Sequence, residues 1–195
     1  HRRQRQMCIR DRSYIFKTNK TEFIGSVEKE KGDKKTISFV GIPFAKPPVG
    51  DLRWKAPREL DSYPETFKAT TLPNRCMQVS NFYDSMDGSE GESIIGSEDC
   101  LYLNIYLSEK AYKSKEKLPV VFWIHGGGNT WGYSASNIFT SGDFILDHDV
   151  ILVTTNYRLG PFGWFAYSGL NQDSENPLDS TCLLYTSPSP RDIGP

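Results

Sequence analysis

The stretch "VVFWIHGGGNTWG", from Val120 to Gly132, is the most informative part of the 195-residue sequence. It begins with an unbroken run of apolar and β-branched residues, which is typical of a buried β-strand. The strand is expected to end at His125, since three consecutive glycines follow at 126–128. Glycine adopts positive φ angles without steric cost and lets the backbone approach a ligand closely. The stretch therefore predicts a buried strand that leads into a loop with accessible backbone N–H groups.

A loop of this kind has a specific chemical use. Backbone N–H groups that converge on one point hold the negative charge that develops on a carbonyl oxygen during acyl transfer, and each contributes about 3–4 kcal/mol. His-Gly-Gly-Gly loops of this type form part of the oxyanion hole of lipases and esterases. The alternative is a tight turn without a ligand, and the glycines alone do not distinguish the two.

The second half of the sequence predicts a mixed and mostly parallel sheet. A second apolar run, "DVILVTTNYR" at 149–158, resembles the first, and both strands are expected to be covered on both faces. A helix is predicted between them at "SGDFILDHD", with Ser141 as its N-cap. Strand, helix and strand together form a βαβ unit.

The first half of the sequence predicts an antiparallel hairpin followed by irregular chain. "TEFIGSV" at 21–27 and "TISFVGIPFA" at 36–45 read as strands on either side of the charged turn "EKEKGDKK". Residues 61–98 are expected to be irregular and polar. A further strand is predicted at "DCLYLNIYLS" (99–108), and "EKAYKSKEK" (109–117) is expected to be a solvated connection.

The two ends of the chain are predicted not to belong to the natural protein. Residues 1–12 contain "MCIRD", and residues 182–195 begin with "CLLYTS". One transposase mosaic-end sequence, used to build sequencing libraries, can encode both peptides when it is read in its two orientations. Both ends are therefore expected to be disordered adapter-derived tails, and residues 13–181 to be part of a longer protein. The alternative is a basic arm and a Ser/Pro-rich tail.

Composition and charge exclude several classes of function. Charged residues make up 24% of the sequence, and the formal net charge is −1. The basic N-terminus belongs to a suspect end, and without it the chain is acidic, which argues against nucleic-acid binding. No window holds the ~18 apolar residues that a membrane span needs. The sequence shows neither a metal-ligand cluster nor a phosphate-binding loop, so no metal and no cofactor are predicted.

Two cysteines, Cys76 and Cys100, lie between the suspect ends. A disulfide between them would contribute about 3 kcal/mol by the loop-entropy estimate. It would also indicate an oxidising compartment. Two buried free thiols explain the spacing equally well.

Three further stretches carry a resemblance to a known family. They are "GIPFAKPPVGDLRW" (41–54), "SEDCLYLNIY" (97–106) and "NYRLGPFGW" (156–164). With the glycine loop, they stand in the same order as in the type-B carboxylesterases, a family that includes the cholinesterases and non-enzymatic adhesion proteins. The resemblance covers about residues 18–170.

This resemblance implies the N-terminal part of an α/β-hydrolase fold and a serine enzyme that hydrolyses small-molecule carboxylic esters. Gly127 and Gly128 match the oxyanion-hole glycines of the family. His125 and Gly126 are expected to support that loop. The oligomeric state cannot be inferred from these motifs.

Two pairs of residues match structural features of the same family. Cys76 and Cys100 match a disulfide that closes an Ω-type loop. Arg53 and Glu98 match an ion pair that ties the early turn to the strand after Glu98. The implied disulfide favours a secreted or otherwise exported protein.

The groups that would complete the catalytic machinery are not found in the sequence. The family nucleophile is the serine of a Gly-x-Ser-x-Gly turn, and the nearest match is "GYSAS" at 132–136, which ends in serine and follows the glycine loop directly. Ser134 is therefore interpreted as a loop residue. The histidines are His1, His125 and His148, and no Ser–His–acid set can be assembled. The chain by itself is expected to be inactive. The alternative function is a non-catalytic adhesion or binding protein of the same fold.

Aromatic residues give limited information about the substrate. Cholinesterases carry a tryptophan in the loop between the two cysteines that stacks on a quaternary ammonium group. Here Phe82 and Tyr83 are the aromatic residues between Cys76 and Cys100, so a choline ester is disfavoured. Trp131, beside the oxyanion glycines, is a candidate for the substrate pocket, with core packing as the alternative.

Overall fold

The computed structural model describes residues 13–80, 93–114, 117–136, 142–165, 167 and 169. Its strands are β1 (Tyr14–Lys17), β2 (Glu22–Lys31), β3 (Lys34–Pro43), β4 (Thr66–Lys68), β5 (Gln78–Val79), β6 (Ile94–Ile95), β7 (Tyr102–Ser108), β8 (Val120–Ile124) and β9 (Ile151–Thr155). Its helices are a 3₁₀ turn (Gly50–Leu52), α1 (Glu109–Ser114), α2 (Gly142–Asp147) and α3 (Gly160–Trp164). The two predicted adapter tails, the predicted N-cap Ser141, and Phe82 and Tyr83 lie outside the described residues.

The predicted antiparallel hairpin is present in β2 and β3, and it is longer than the sequence suggested. The charged stretch predicted as a turn extends both strands, so that only Gly32 and Asp33 connect them. Gly32 has a φ of 61°, as two-residue hairpin turns require. Glu30 and Lys35 face each other and form an ion pair at 3.0 Å. Opposite charges across the two strands thus stabilise the pairing in a stretch that composition alone marks as a loop.

Six strands lie side by side in the order β1, β2, β3, β7, β9 and β8, and β4 pairs with β2. The sheet is mixed, as predicted. The pairs β1–β2, β2–β3, β3–β7 and β7–β9 are antiparallel, whereas β8 runs parallel to β9 and β4 runs parallel to β2. The described part of the sheet is therefore less parallel than predicted. The connections between β1, β2 and β3 contain too few residues for a parallel crossover, so these strands are antiparallel.

Strand β8, helix α2 and strand β9 form the predicted βαβ unit. The two strands pair in register from Val120 opposite Ile151 to Ile124 opposite Thr155. In the described structure β8 is not covered on both faces, since Val120 is 60%, Phe122 57% and Ile124 56% exposed. Among the described strands, β8 pairs only with β9. Of its side chains, Trp123 packs on the second apolar cluster, which includes Ile145 of α2.

The core packs on both faces of the sheet around β3. Ile37 and Phe39 belong to one apolar cluster, and Val40 belongs to the other. On the second face, Ile145 of α2 packs over Tyr106 of β7. Strand β3 therefore contributes buried side chains to both layers, which fixes the strands that lead to the glycine loop.

Two segments predicted as irregular contain regular structure. The stretch "EKAYKSKEK" holds α1, in which Ala111 is buried and Tyr112 packs on the first core cluster. The range 61–98 holds the short strands β4, β5 and β6. These elements were missed because they are too short to show a clear apolar period, and their stability comes from the strands and helices against which they pack.

The described helices include none that is long and apolar enough to cross a membrane. The same residues contain no group of three or more acidic, histidine or cysteine side chains that could hold a metal ion.

Candidate active site

The glycine loop begins where β8 ends and folds back as a tight turn. Gly127 and Gly128 have φ angles of 129° and 60°, and Asn129 has a φ of 63°. The carbonyl of Gly127 accepts hydrogen bonds from the backbone N–H groups of Thr130 (3.1 Å) and Trp131 (3.2 Å). A Cβ on Gly127 would lie 1.8 Å from the carbonyl oxygen of Trp131. Both the backbone angle and this close approach require glycine at position 127.

The turn directs the N–H groups of Gly127 and Gly128 away from the loop interior. A trans peptide group is planar, so its N–H points opposite to its C=O. The Gly126 carbonyl lies 2.9 Å from Nδ1 of His125, so the N–H of Gly127 points away from that ring. The Gly127 carbonyl accepts the bonds of the turn, so the N–H of Gly128 points outward as well. Neither N–H donates to another group in the part of the chain that the structure describes.

An open depression of about 530 Å³ borders these N–H groups. Residues 126–129 form one side of it, and apolar side chains line much of the rest, among them Phe44, Leu101, Phe122 and Trp164. This volume lies in the range of small-molecule sites. The depression is therefore large enough to admit a small uncharged ligand next to the two N–H groups.

Trp131 does not line this depression. Its backbone packs against Gly127, and its side chain is half-buried. The assignment of Trp131 to a substrate pocket stays a prediction.

Two residues that follow β9 hold the glycine loop from outside. The Tyr157 hydroxyl donates to the His125 carbonyl at 2.9 Å. The N–H of Gly160 donates to the Asn129 carbonyl at 2.7 Å. The carbonyl groups at both ends of the turn are thereby fixed to the segment after β9, and the intervening N–H groups are left facing the depression.

Gln78 holds the far end of the same loop. Its Oε1 accepts the N–H of Gly132 at 2.9 Å, and its Nε2 donates to the Gly132 carbonyl at 2.9 Å. The same Nε2 also donates to the Cys76 carbonyl at 2.9 Å. A single buried side chain therefore ties the glycine loop to the chain beside the cysteine.

His125 supports the loop as a buried, neutral side chain. It is 4% exposed, and its ring stacks on Tyr157 with centroids 4.4 Å apart. Nδ1 faces the Gly126 carbonyl, which can only accept, so we assign the proton to Nδ1. Burial lowers the pKa of His125, and the bond to Gly126 offsets this only in part. The ring is therefore neutral at neutral pH, and Nε2 has no hydrogen-bond partner in the described structure.

Ser134 is fully buried and held on two sides. Its N–H donates to Oδ1 of Asn156 at 2.9 Å, and its Oγ accepts from Nδ2 of Asn104 at 3.1 Å. Asn104 also donates to Thr154 at 3.1 Å and accepts from the N–H of Gly41 at 2.9 Å. A hydroxyl in this position has no route to a substrate, which agrees with its interpretation as a loop residue.

Cys76 and Cys100 form a disulfide, with their sulfur atoms 2.04 Å apart. Arg53 and Glu98 form a two-pronged ion pair with N–O distances of 2.5 and 2.6 Å. The hydrogen bond and the charge of Glu98 raise the pKa of Arg53. Because the Arg53 side chain is 40% exposed, we expect this pair to orient the turn at 50–54 more than to stabilise the fold.

The model of the carboxylesterase family matches residues 12–176. This chain belongs to the carboxylesterase family. The matched range includes the glycine loop, the disulfide and all three further motifs.

Individual relatives agree with this assignment. The chain is 43% identical over 143 residues to a juvenile hormone esterase of Tribolium castaneum, covering 73% of this chain and 23% of that protein. It is 39% identical over 147 residues to a para-nitrobenzyl esterase of Bacillus subtilis, covering 74% and 29% respectively. An acetylcholinesterase 1 of Caenorhabditis briggsae is 39% identical over 136 residues, covering 67% and 22%. The chain thus spans less than a third of the length of each of these relatives.

Solved structures show the same relationship. A structure named PNB esterase superposes with a TM-score of 0.66 at 34% identity, covering 80% of this chain and 30% of that one. A thermophilic PNB esterase gives the same TM-score at 33% identity. The fold is therefore the N-terminal part of an α/β hydrolase, as predicted.

Sequence reasoning missed the side chains that hold the loop in place. Tyr157 and Asn156 lie in a stretch that was recognised by resemblance, yet their contacts with His125 and Ser134 could not be inferred from it. Gln78 carried no signal at all, because its partner Gly132 is 54 positions away.

Proposed function

We propose that this chain is part of a serine carboxylic-ester hydrolase in which the N–H groups of Gly127 and Gly128 supply two donors of the oxyanion hole. The proposal rests on one observation: these two N–H groups have no partner among the described residues, and both glycines line an open depression. Membership of the carboxylesterase family supports it.

In the proposed reaction, a serine of the longer protein passes its proton to a histidine base of that protein and attacks the ester carbonyl carbon. The carbonyl electron pair moves to oxygen, and the oxyanion accepts hydrogen bonds from Gly127 and Gly128. Collapse of the intermediate breaks the ester C–O bond, the alcohol leaves with the proton returned by the histidine, and an acyl-enzyme remains. Water then hydrolyses the acyl-enzyme and regenerates the serine.

An uncharged ester is the substrate class that this lining favours. The residues that border the depression include Phe44, Leu101, Phe122 and Trp164, and none of those described is acidic. The proposed substrate is therefore a small apolar carboxylic ester. A choline ester is disfavoured because no tryptophan lies between Cys76 and Cys100.

We further propose that the 195-residue chain is inactive alone. Ser134 is fully buried, and the neutral His125 is engaged with Gly126 and Tyr157, so neither is available as nucleophile or base. An exported location is also proposed, because the disulfide between Cys76 and Cys100 is stable in oxidising compartments.

The test is to recover the complete reading frame around residues 13–181, express its product and measure hydrolysis of p-nitrophenyl acetate. We expect a Gly-x-Ser-x-Gly serine in the added sequence and measurable turnover. Gly127→Ala, at a position where a Cβ would lie 1.8 Å from the Trp131 carbonyl oxygen, should displace the turn and its N–H groups and lower kcat by about 100-fold. Gly126→Ala is the matched control, because Gly126 has no positive φ and a Cβ there would meet no atom within 4 Å, and its effect should stay below about tenfold.

Two results would contradict the proposal. A folded full-length product without esterase activity would favour a binding protein of the same fold. Hydrolysis by the 195-residue chain that Ser134→Ala abolishes would show that the nucleophile lies within it.

A further inference from the structure

We propose that Gln78 is a positioning residue that sets the orientation of the oxyanion N–H groups. The inference rests on the proposed function, because it concerns the same loop. Gln78 does not touch the depression. It acts through Gly132 and, from there, through the peptide group that carries the N–H of Gly127.

The first step is the contact between Gln78 and Gly132. Gln78 is 6% exposed, so its amide makes its bonds away from water. It accepts from the N–H and donates to the carbonyl of the same residue, both at 2.9 Å. A side chain that binds both backbone groups of one residue fixes the position and the rotation of that residue together. An apolar side chain could fill this space and would leave both groups without partners.

The second step leads from Gly132 to the oxyanion glycines. Gly132 has a φ of 136°, and a Cβ there would lie 2.0 Å from Nδ1 of His125 and 2.6 Å from the carbonyl oxygen of Gly126. The backbone of Gly132 therefore packs directly on the peptide between Gly126 and Gly127. The carbonyl and the N–H of that peptide share one plane, so a shift of Gly132 turns the N–H of Gly127.

The third step is the rigidity of the segment that carries Gln78. Cys76, two residues earlier, is held in the disulfide, and its carbonyl accepts from Gln78. The Tyr133 hydroxyl donates to the Pro73 carbonyl at 2.7 Å. The Asn156 side chain donates to the Asn74 carbonyl at 2.9 Å. Segment 73–78 is thus fixed to the glycine loop by several bonds, and Gln78 is the contact nearest to the oxyanion N–H groups.

The first experiment measures amide hydrogen exchange in the 195-residue chain at submicromolar concentration, with Gln78→Met against the parent sequence. Exchange at Thr130, Trp131 and Gly132, whose N–H groups are bonded in or beside the turn, should become about tenfold faster. Amides of β3 and β7 should keep their rates.

The matched control is Asn74→Leu, which also replaces an amide by an apolar side chain of similar size in the same segment. Asn74 is exposed, its side chain donates to the Asp99 carbonyl at 3.5 Å, and its backbone carbonyl accepts from Asn156. It should leave the exchange at all these sites unchanged. A uniform acceleration in Gln78→Met that includes β3 and β7, or equal effects of both variants, would overturn the proposal in favour of a general stabilising role.

The second experiment uses the full-length product in the esterase assay. Gln78→Met should lower kcat by tenfold or more and change KM less than twofold, since misplaced N–H groups lose transition-state binding and leave ground-state binding intact. A rise in KM at constant kcat would overturn the inference. If the full-length product hydrolyses no ester, the proposed function fails, and the exchange experiment still decides whether Gln78 orients the loop.

Discussion

Strands β3 and β8 belong to one sheet, yet their burial is the reverse of what their residues suggest. Strand β8 is entirely apolar, and three of its five side chains, at Val120, Phe122 and Ile124, are more than half exposed. Strand β3 contains Thr36 and Ser38, and both are fully buried. Strand β3 pairs with β2 on one side and β7 on the other, whereas β8 pairs with β9 alone among the described strands.

The difference shows that an apolar run in the sequence does not by itself bury a strand. Burial depends on whether other strands and helices pack against it. Burial of apolar surface contributes about 25 cal/mol per Å², and β3 obtains this from the layers on its two faces. In β8 most of the apolar surface of Val120, Phe122 and Ile124 is exposed in the described structure, so it contributes little to stability. An apolar strand that has one unpaired edge and exposed side chains is a site for association with other chains.

The largest expected effect is on core stability. Ile37→Ala in β3, at a side chain with 0% exposure, should lower the free energy of unfolding by about 2–5 kcal/mol, because it leaves a cavity between packed layers. Val120→Ala in β8 is the control and should change it by less than about 0.5 kcal/mol. Urea unfolding followed by tryptophan fluorescence measures both. Similar losses for the two variants would show that β8 is covered in solution.

A smaller effect is expected where the covered part of the sheet buries a polar side chain. Asn104→Leu in β7 removes the partners of the Gly41 N–H and of the Ser134 and Thr154 hydroxyls. Unfolding should become easier by about 1–3 kcal/mol. Asn74→Leu, at an exposed site, is the control and should have little effect. Equal stability of the Asn104 variant and the parent, in the same urea titration, would refute the role of these bonds.

A third effect concerns the pH dependence of stability that comes from His125, the buried residue that follows β8. The folded state holds His125 neutral with a lowered pKa, whereas the unfolded chain takes up a proton near pH 6.5. Stability linked to His125 is therefore present above pH 6.5 and is lost as the pH falls below it. The free energy of unfolding should therefore fall between pH 7.5 and 5.5. His125→Gln should remove that part of the pH dependence in urea titrations, and an unchanged pH dependence would contradict the assignment.

The smallest effect on stability is expected from a charge on β8. Val120→Lys should leave the urea midpoint nearly unchanged, because Val120 is 60% exposed. It should reduce self-association of the 195-residue chain in sedimentation velocity, since a lysine on a strand with an unpaired edge disfavours pairing with another chain. Val79→Lys on β5, at a side chain that is 53% exposed and outside the main sheet, serves as the control. A parent chain that sediments as a monomer would remove the basis of this prediction.

Much of the architecture could be predicted from local patterns. The run before His125, the run at 149–158 and the helix between them were correctly placed, because apolar periodicity and length distinguish them. The hairpin ends and α1 were misjudged. Charged residues at 28–35 read as a turn, and only their cross-strand pairing made them strands.

The site could be predicted only in part. The glycines at 126–128 are legible because few other residues allow positive φ and close contact. The residues that hold this loop could not be predicted, since Gln78, Tyr157 and Gly160 contact it from distant parts of the chain. The depression could not be predicted from the sequence either, because residues far apart in the chain, from Phe44 to Trp164, line it.

The sequence by itself determined the glycine loop, the central hairpin and the two apolar strands with the helix between them, because these follow from steric limits and apolar spacing over a few residues. The tertiary structure alone decided which strand is covered and which way the Gly127 and Gly128 N–H groups point. Those outcomes depend on hydrogen bonds and packing between residues far apart in the chain, as in the 54-residue separation between Gln78 and Gly132. Local sequence carries no record of such partners.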